Sequence, residues 1–292
     1  MNNRDEIIQK LKDYFEKRDD VIMAFLFGSQ AENRARSESD WDIAVYFKLE
    51  NPAVIEWEEG ARKYPEEDHV WSACSDIVMT DNVDLVVLNR APVSIADTAI
   101  RGIPLVIKDS HVWLRFMLVV THEAEEYRKF VDEFYAISER SRSLTARDRE
   151  DLEKTIRFLE EELIRYDYFS SMTEHAYEED VARRNDVERW IEKIIVACVD
   201  ISKIVLSSRR TLIPETYRNS VIRAARQFNM PDDFPEKFEK WVKLRNVLAH
   251  EYLDIKWLRI ENFIRESKSY TTHFLQSTKQ FLEENEKDQS VQ

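Results

Sequence analysis

Two hydrophobic periods divide this chain. Up to about residue 108, apolar residues fall in short runs separated by polar turns. From Trp113 onward they recur every three or four residues. Short apolar runs bounded by turn residues are strand signals, whereas the wider spacing marks amphipathic helices. The chain opens on the helical period, with Ile7, Ile8, Leu11, Tyr14 and Phe15 on one face. Strands are then expected at about 21–27, 42–47, 83–88 and 103–107. Helices are expected at about 56–63, stopped by Pro65, and from Ser94 to Arg101. These elements make a small α/β unit.

The second half is helical throughout. A long helix is expected over about 113–137, followed by SERSRSLTARDRE (138–150), polar and free of glycine, as a linker or the capped start of the next helix. Further helices are expected at about 148–172, 183–208, 215–229, 234–253 and 256–285. Pro214, Pro231 and Pro235 stand where helix N-termini tolerate proline. The tail EENEKDQSVQ is expected to fray. No internal repeat is visible. The patterning predicts an α+β chain of two domains, 1–137 and 148–285.

Composition agrees with that division. A chain of 292 residues commonly holds two domains, and only 3 Gly and 7 Pro suit a largely helical protein. The longest apolar runs, such as VIMAFLF, are too short to cross a bilayer, and MNNRDEIIQK lacks the apolar core of a signal peptide. Cys74 and Cys198 are far apart with no Cys-x-x-Cys partner, which fits buried thiols in a reducing cytoplasm. A net charge of −14 argues against a protein that coats nucleic acid. The charge is uneven, however. Between Ile201 and Met230 stand Lys203, Arg209, Arg210, Arg218, Arg223 and Arg226 against Glu215 alone. That run is either a solvated helical face or a phosphate-facing surface.

The chemistry concentrates in FGSQAENRARSESDWDIAV (27–45). Gly28-Ser29 closes one apolar run, and Asp40-Trp41-Asp42 opens the next; a third acid, Asp84, stands at the head of VDLVVL. Side chains alternate along a strand, so Asp40 and Asp42 share a face that Trp41 avoids, and a paired third strand can bring Asp84 beside them. Carboxylates are the ligands magnesium prefers, and divalent cations neutralise oxygens during nucleotidyl transfer. A glycine at the strand end lets backbone N–H groups approach a triphosphate, to which the serine hydroxyl can donate.

In this order and spacing the residues resemble the minimal nucleotidyltransferases of the polymerase-beta superfamily, over about residues 20–108 and including the tail LNRAPVSIADTAIRGIPLVIKD. The resemblance implies that Asp40, Asp42 and Asp84 hold Mg2+ (or Mn2+) and catalyse transfer from ATP. It also implies that Gly28 and Ser29, with Arg34 and Arg36 as nearby cations, bind the nucleotide. The chain departs from the family's usual Arg and Gly after the Gly-Ser pair, carrying Gln30, Glu32 and Asn33 instead.

A second constellation lies in LRNVLAHEYLD. Asn246 and His250 are helical i,i+4 neighbours, Arg245 and Tyr252 share a side at i,i+7, and Arg245 and His250, five apart, do not stack on one helix. A cleft completed by a second copy of the helix would bring them together. This segment, the run IEKIIVACVDISKIVLSS and the all-helical pattern resemble the HEPN domains paired with minimal nucleotidyltransferases in toxin–antitoxin systems. The resemblance implies a metal-independent ribonuclease centre at a homodimer interface, with Arg245 and His250 catalytic and RNA as partner. It further implies that Tyr252 accepts AMP, which silences the centre. Histidine exchanges protons near neutral pH, and arginine holds a phosphate through paired donors. In such pairs the two domains are usually separate chains; fusion raises their effective concentration for each other and fixes their ratio.

Two other readings compete. Aminoglycoside adenylyltransferases also join this kind of catalytic domain to a helical one, and acid clusters such as Glu123, Glu125 and Glu126, or Glu160 to Glu162, would then bind an amine substrate. Arg-x4-His-x-Tyr has no purpose in such an enzyme. A non-enzymatic nucleotide sensor is the third, against which the complete acid triad speaks.

Overall fold

The computed structural model describes residues 3–32, 39–49, 55–57, 62–140, 144–250 and 257–290, without the side chains of 3, 249, 250 and 286–290. The chain divides into two compact units, Met1–Arg128 and Lys129–Gln292.

In the first unit, α1 (Asn3–Glu16) leads into β1 (Val21–Phe27), a single helical turn α2 (Gly28–Ala31) and β2 (Trp41–Phe47). Then come α3 (Glu67–Val78), β3 (Val83–Val87), α4 (Val93–Ile100), β4 (Ile103–Ile107) and the start of α5 (Ser110–Arg140). The strands order as β3-β2-β1-β4. β1 is antiparallel to both β2 and β4, and β2 is parallel to β3.

Alternation along β2 sorts the sheet's two faces. Trp41, Ile43, Val45 and Phe47 pack with Ile7, Leu11 and Phe15 of α1 and Val70 and Cys74 of α3. Ala44 and Tyr46 pack on the other side with Ala96 and Ala99 of α4 and Val112 and Phe116 of α5. The even positions Asp42 and, on β3, Asp84 therefore belong to the α4/α5 face. Gly102 allows β4 to close on β1: a Cβ there would meet the Leu26 carbonyl oxygen at 2.2 Å.

The strands sit where the apolar runs place them. The helix expected over 56–63 does not: residues 55–57 and 62–64 are irregular, and 58–61 lie outside the described residues. Pro65 starts rather than stops a helix, because its fixed φ and missing N–H suit a helix entrance. α3 follows it, burying Val70, Cys74 and Val78.

The second unit is helical. After α5 come α6 (Ala146–Ile164), α7 (Tyr166–Phe169), α8 (Glu174–Glu179), α9 (Val181–Ser208), α10 (Tyr217–Gln227), α11 (Phe234–His250) and α12 (Trp257–Ser290). The expected helix 148–172 is thus broken near Arg165, and α8 intervenes unannounced. Side-chain caps explain the starts: Thr145, Thr173, Asp180 and Thr216 each accept a backbone N–H from the first turn that follows. The core centres on Trp190 of α9, fully buried, whose ring meets Tyr166 and Phe169 at 4.6 Å and Phe263 at 5.8 Å. Its indole N–H donates to the Glu162 carbonyl at 3.1 Å, and the Tyr166 hydroxyl bonds Ser267 Oγ at 2.7 Å, so these buried polar atoms are matched. Among the described residues, no helix is long and apolar enough to cross a membrane.

Candidate active site

Strand register builds the first site. Phe27 pairs with Asp42 across β1 and β2, and Asp42 pairs with Asp84 across β2 and β3. The end of β1, where Gly28 follows, thus lies in one row with two of the three predicted acids. Asp40 stands just before β2 and is exposed, so it reaches the row from a loop rather than from the strand.

Gly28 is the point of closest approach. Its φ is +65°, a left-handed backbone that other residues resist, and a Cβ added there would lie 2.0 Å from Asp42 Oδ2. The missing side chain is what lets the Asp42 carboxylate stand against the turn that carries Ser29. The carboxylate feels its surroundings: burial, then the charges of Asp84 and Asp40, raise the Asp42 pKa above its ordinary 3.8. Three acids close enough to repel are a site that a cation would relieve. The donors are hard oxygens, so in chemistry and charge they fit Mg2+. Their side chains are not drawn into a ready cage, for no group of three or more His, Cys, Asp or Glu in metal-holding arrangement occurs among the described residues.

Two polar residues support the turn. The Arg4 guanidinium, from the first turn of α1, donates to the carbonyl of Gln30 through Nε at 2.8 Å and Nη2 at 2.6 Å, and to that of Ala31 at 3.4 Å. The Gln30 side chain is buried, and its Nε2 donates to the Ser39 carbonyl at 3.3 Å. Sequence reasoning passed over Arg4. Its one signal is a cation in the first turn of a helix, where the macrodipole favours acids. Arg34 and Arg36 lie outside the described residues. A cavity of about 540 Å3, lined by Val21, Tyr46, Lys48 and Lys108, opens at the opposite end of β1 and β2 from the acids and takes no part in this site.

In the second unit, Trp241, Leu244 and Leu248 bury one face of α11, which leaves Arg245 and Asn246 half-buried on its flank. Arg245 Nη1 donates to Asn246 Oδ1 at 3.3 Å. His250 ends the helix, and its side chain and Tyr252 lie outside the described residues. The expected extension of this helix to 253 falls there too.

The basic run 201–230 is largely engaged within the fold. Lys203 pairs with Glu133 and Asp200, and Arg218 with Glu239 at 3.0 Å. Arg209 donates to Gln227 and lies over the Phe281 ring, and Arg223 donates to the Leu212 carbonyl. A cleft of about 670 Å3 holds Arg210 and Arg223, but Glu139 and Glu215 line it as well. Opposed charges make it a poor phosphate surface, and the reading of this run as phosphate-facing is not supported.

Comparison with known proteins follows the same division. Residues 9–111 match the family described as Polymerase beta, Nucleotidyltransferase, and residues 137–278 match that described as Ribonuclease HepT-like. A solved structure, "Crystal structure of the toxin-antitoxin with AMP-PNP", aligns with 45% of this chain and 97% of its own at 20% identity, with a TM-score of 0.32. No curated protein matches.

Proposed function

Since the chain joins a polymerase-beta-type nucleotidyltransferase domain to a HEPN-like domain, we propose that the first transfers AMP from ATP to a tyrosine hydroxyl of the second, Tyr252. The observation that carries this reading is the row Phe27–Asp42–Asp84, with Gly28 packed on the Asp42 carboxylate. It sets a phosphate-approachable turn against the acids that nucleotidyl transfer requires.

Asp40, Asp42 and Asp84 would hold Mg2+, which when bound neutralises phosphate oxygens as charge moves toward the leaving group. Gly28 keeps the approach to Asp42 clear of side-chain bulk, and Ser29 offers its hydroxyl to a phosphate oxygen. In the transfer a bond forms between the phenol oxygen and the α-phosphorus, the α–β phosphoanhydride bond breaks, pyrophosphate leaves, and the phenol proton passes to solvent. AMP on Tyr252 would add bulk and negative charge two residues from His250. Arg245 and His250 are then the catalytic pair of a metal-independent ribonuclease, completed in a homodimer, with Arg245 holding the RNA phosphate and His250 taking the 2′-hydroxyl proton. The contact between Arg245 and Asn246 supports a role for Asn246 in orienting the guanidinium.

Mass spectrometry after incubation with ATP and Mg2+ tests the reading. The expected product is an AMP-sized adduct on Tyr252 that Asp42→Asn lacks. An unmodified Tyr252 beside rapid AMP transfer to an added aminoglycoside would replace it with small-molecule adenylyl transfer.

A further inference from the structure

The turn bearing Gly28 and Ser29 is too short to hold itself. α2 has four residues, and an isolated helix of that length is unstable because nucleation fixes several residues for a single hydrogen bond. Its backbone closes through the Glu32 N–H on the Gly28 carbonyl at 3.2 Å. The Phe27 side chain offers its start no cap. The carbonyls of its last turn are the orphan groups of any helix end, and a cation there also meets the negative end of the peptide dipoles.

Arg4 supplies that partner from 26 residues away. Nε and Nη2 hold the Gln30 carbonyl, Nη2 also reaches that of Ala31, and the remaining Nη1 lies 3.7 Å from the Asp5 carboxylate. The buried Gln30 side chain then links the same turn to the Ser39 carbonyl, one residue before Asp40. One chain of contacts therefore runs from α1 through the last turn of α2 to the entrance of β2, while Gly28 rests on Asp42 at the other end of that turn. The arrangement ties the phosphate-approaching turn to two of the acids, and its anchor is outside the sequence motif.

We propose that Arg4 is a positioning residue for nucleotide binding. It fixes the Gly28–Ser29 turn over the acids without itself contacting the nucleotide. The proposal rests on the nucleotidyltransferase reading of the site. Without Arg4 the turn adopts its binding geometry only part of the time, and apparent affinity falls by that fraction.

Calorimetric titration of the full chain with Mg–ATP is the test, in the parent, Arg4→Ala and Arg4→Lys, with the melting temperature of each free protein measured alongside. Arg4→Ala is expected to weaken Mg–ATP binding roughly tenfold, as when the competent turn is populated about a tenth of the time. The free protein should melt ~4–7 °C below the parent, the cost of a tenfold shift in the turn at about 1.4 kcal/mol, and still unfold in one cooperative transition. Arg4→Lys is expected to recover part of the affinity, because an ammonium can cap one carbonyl but lacks the fork that holds two. Binding by Arg4→Ala equal to the parent's overturns the proposal alone. So does a loss that Arg4→Lys does not relieve, or one matched by a collapse of the free protein's melting. No binding by the parent overturns the nucleotide reading, and this proposal with it.

Discussion

Asp42→Asn should disable transfer and yet make the free protein more stable. Asparagine keeps the shape of the side chain, including its packing on Gly28, and removes one of the charges that crowd the row. Asp42 and Asp84 are register partners on adjacent strands, which sets them about 5 Å apart. Two unit charges at that distance repel by about 0.8 kcal/mol in water, and both residues keep enough exposure for the water-like end of the range to apply. Relief of that repulsion, with a smaller share from Asp40, gives a gain of about 0.5–1 kcal/mol, or ~2–4 °C in Tm for a unit of this size.

The pH dependence fixes the sign. Burial and like charge raise the Asp42 pKa in the folded state above its ordinary 3.8. Between those two values the native state binds more protons than the unfolded one. The parent therefore loses stability as pH rises through that window. The asparagine of the variant does not titrate, so the variant's advantage should be full at pH 7 and vanish as pH falls below 3.8. Thermal unfolding from pH 3 to 8 measures this, and added Mg2+ should raise the parent's Tm more than the variant's. An advantage that is absent at pH 7, or unchanged at low pH, refutes the electrostatic account of the row.

The other expectations follow from the same geometry and from the second unit. Gly28→Ala should cost about 1–3 kcal/mol, since an alanine must hold φ +65° with its Cβ 2.0 Å from Asp42 Oδ2. The loss, read by denaturant unfolding, should be accompanied by loss of Mg–ATP binding; an alanine variant of parental stability contradicts the close packing. The helical unit should form a homodimer in solution, because positions five apart on one helix, as 245 and 250 are along α11, are not neighbours on a face, and the ribonuclease reading then needs a second copy to complete its centre. A monomeric mass by light scattering at micromolar concentration counts against that assembly.

Much of this protein was legible along the chain because its signals are local. Strand positions 21–27 and 103–107 follow from runs of apolar residues, and the opposition of Trp41 to Asp42 follows from a period of two. Gly28-Ser29, Asp40-x-Asp42 and Asp84 stood out because each is tied to the end or head of such a run. Helix starts were less legible. Pro65 suits both a stop and an entrance, and only the fold shows that it precedes α3, whose Val70, Cys74 and Val78 are buried against the sheet. The basic run at 201–230 looked like one charged surface. The fold pairs Lys203 and Arg218 with acids from other helices, which no window of sequence contains.

What only tertiary structure decided is the alignment of separate strands and the anchoring of the turn between them. Spacing shows that Asp42 and Asp84 each sit near a strand's start. It does not show that β2 and β3 run parallel with these two in register, or that Phe27 joins the row from an antiparallel neighbour. Register is set by the free energy of packing the whole sheet between α1 and α3 on one face and α4 and α5 on the other, a sum over residues distant in sequence. The Arg4 contact with Gln30 and Ala31 is of the same kind. The motif determines which atoms can do the chemistry, and the packed sheet, with a cation borrowed from the first helix, determines where they stand.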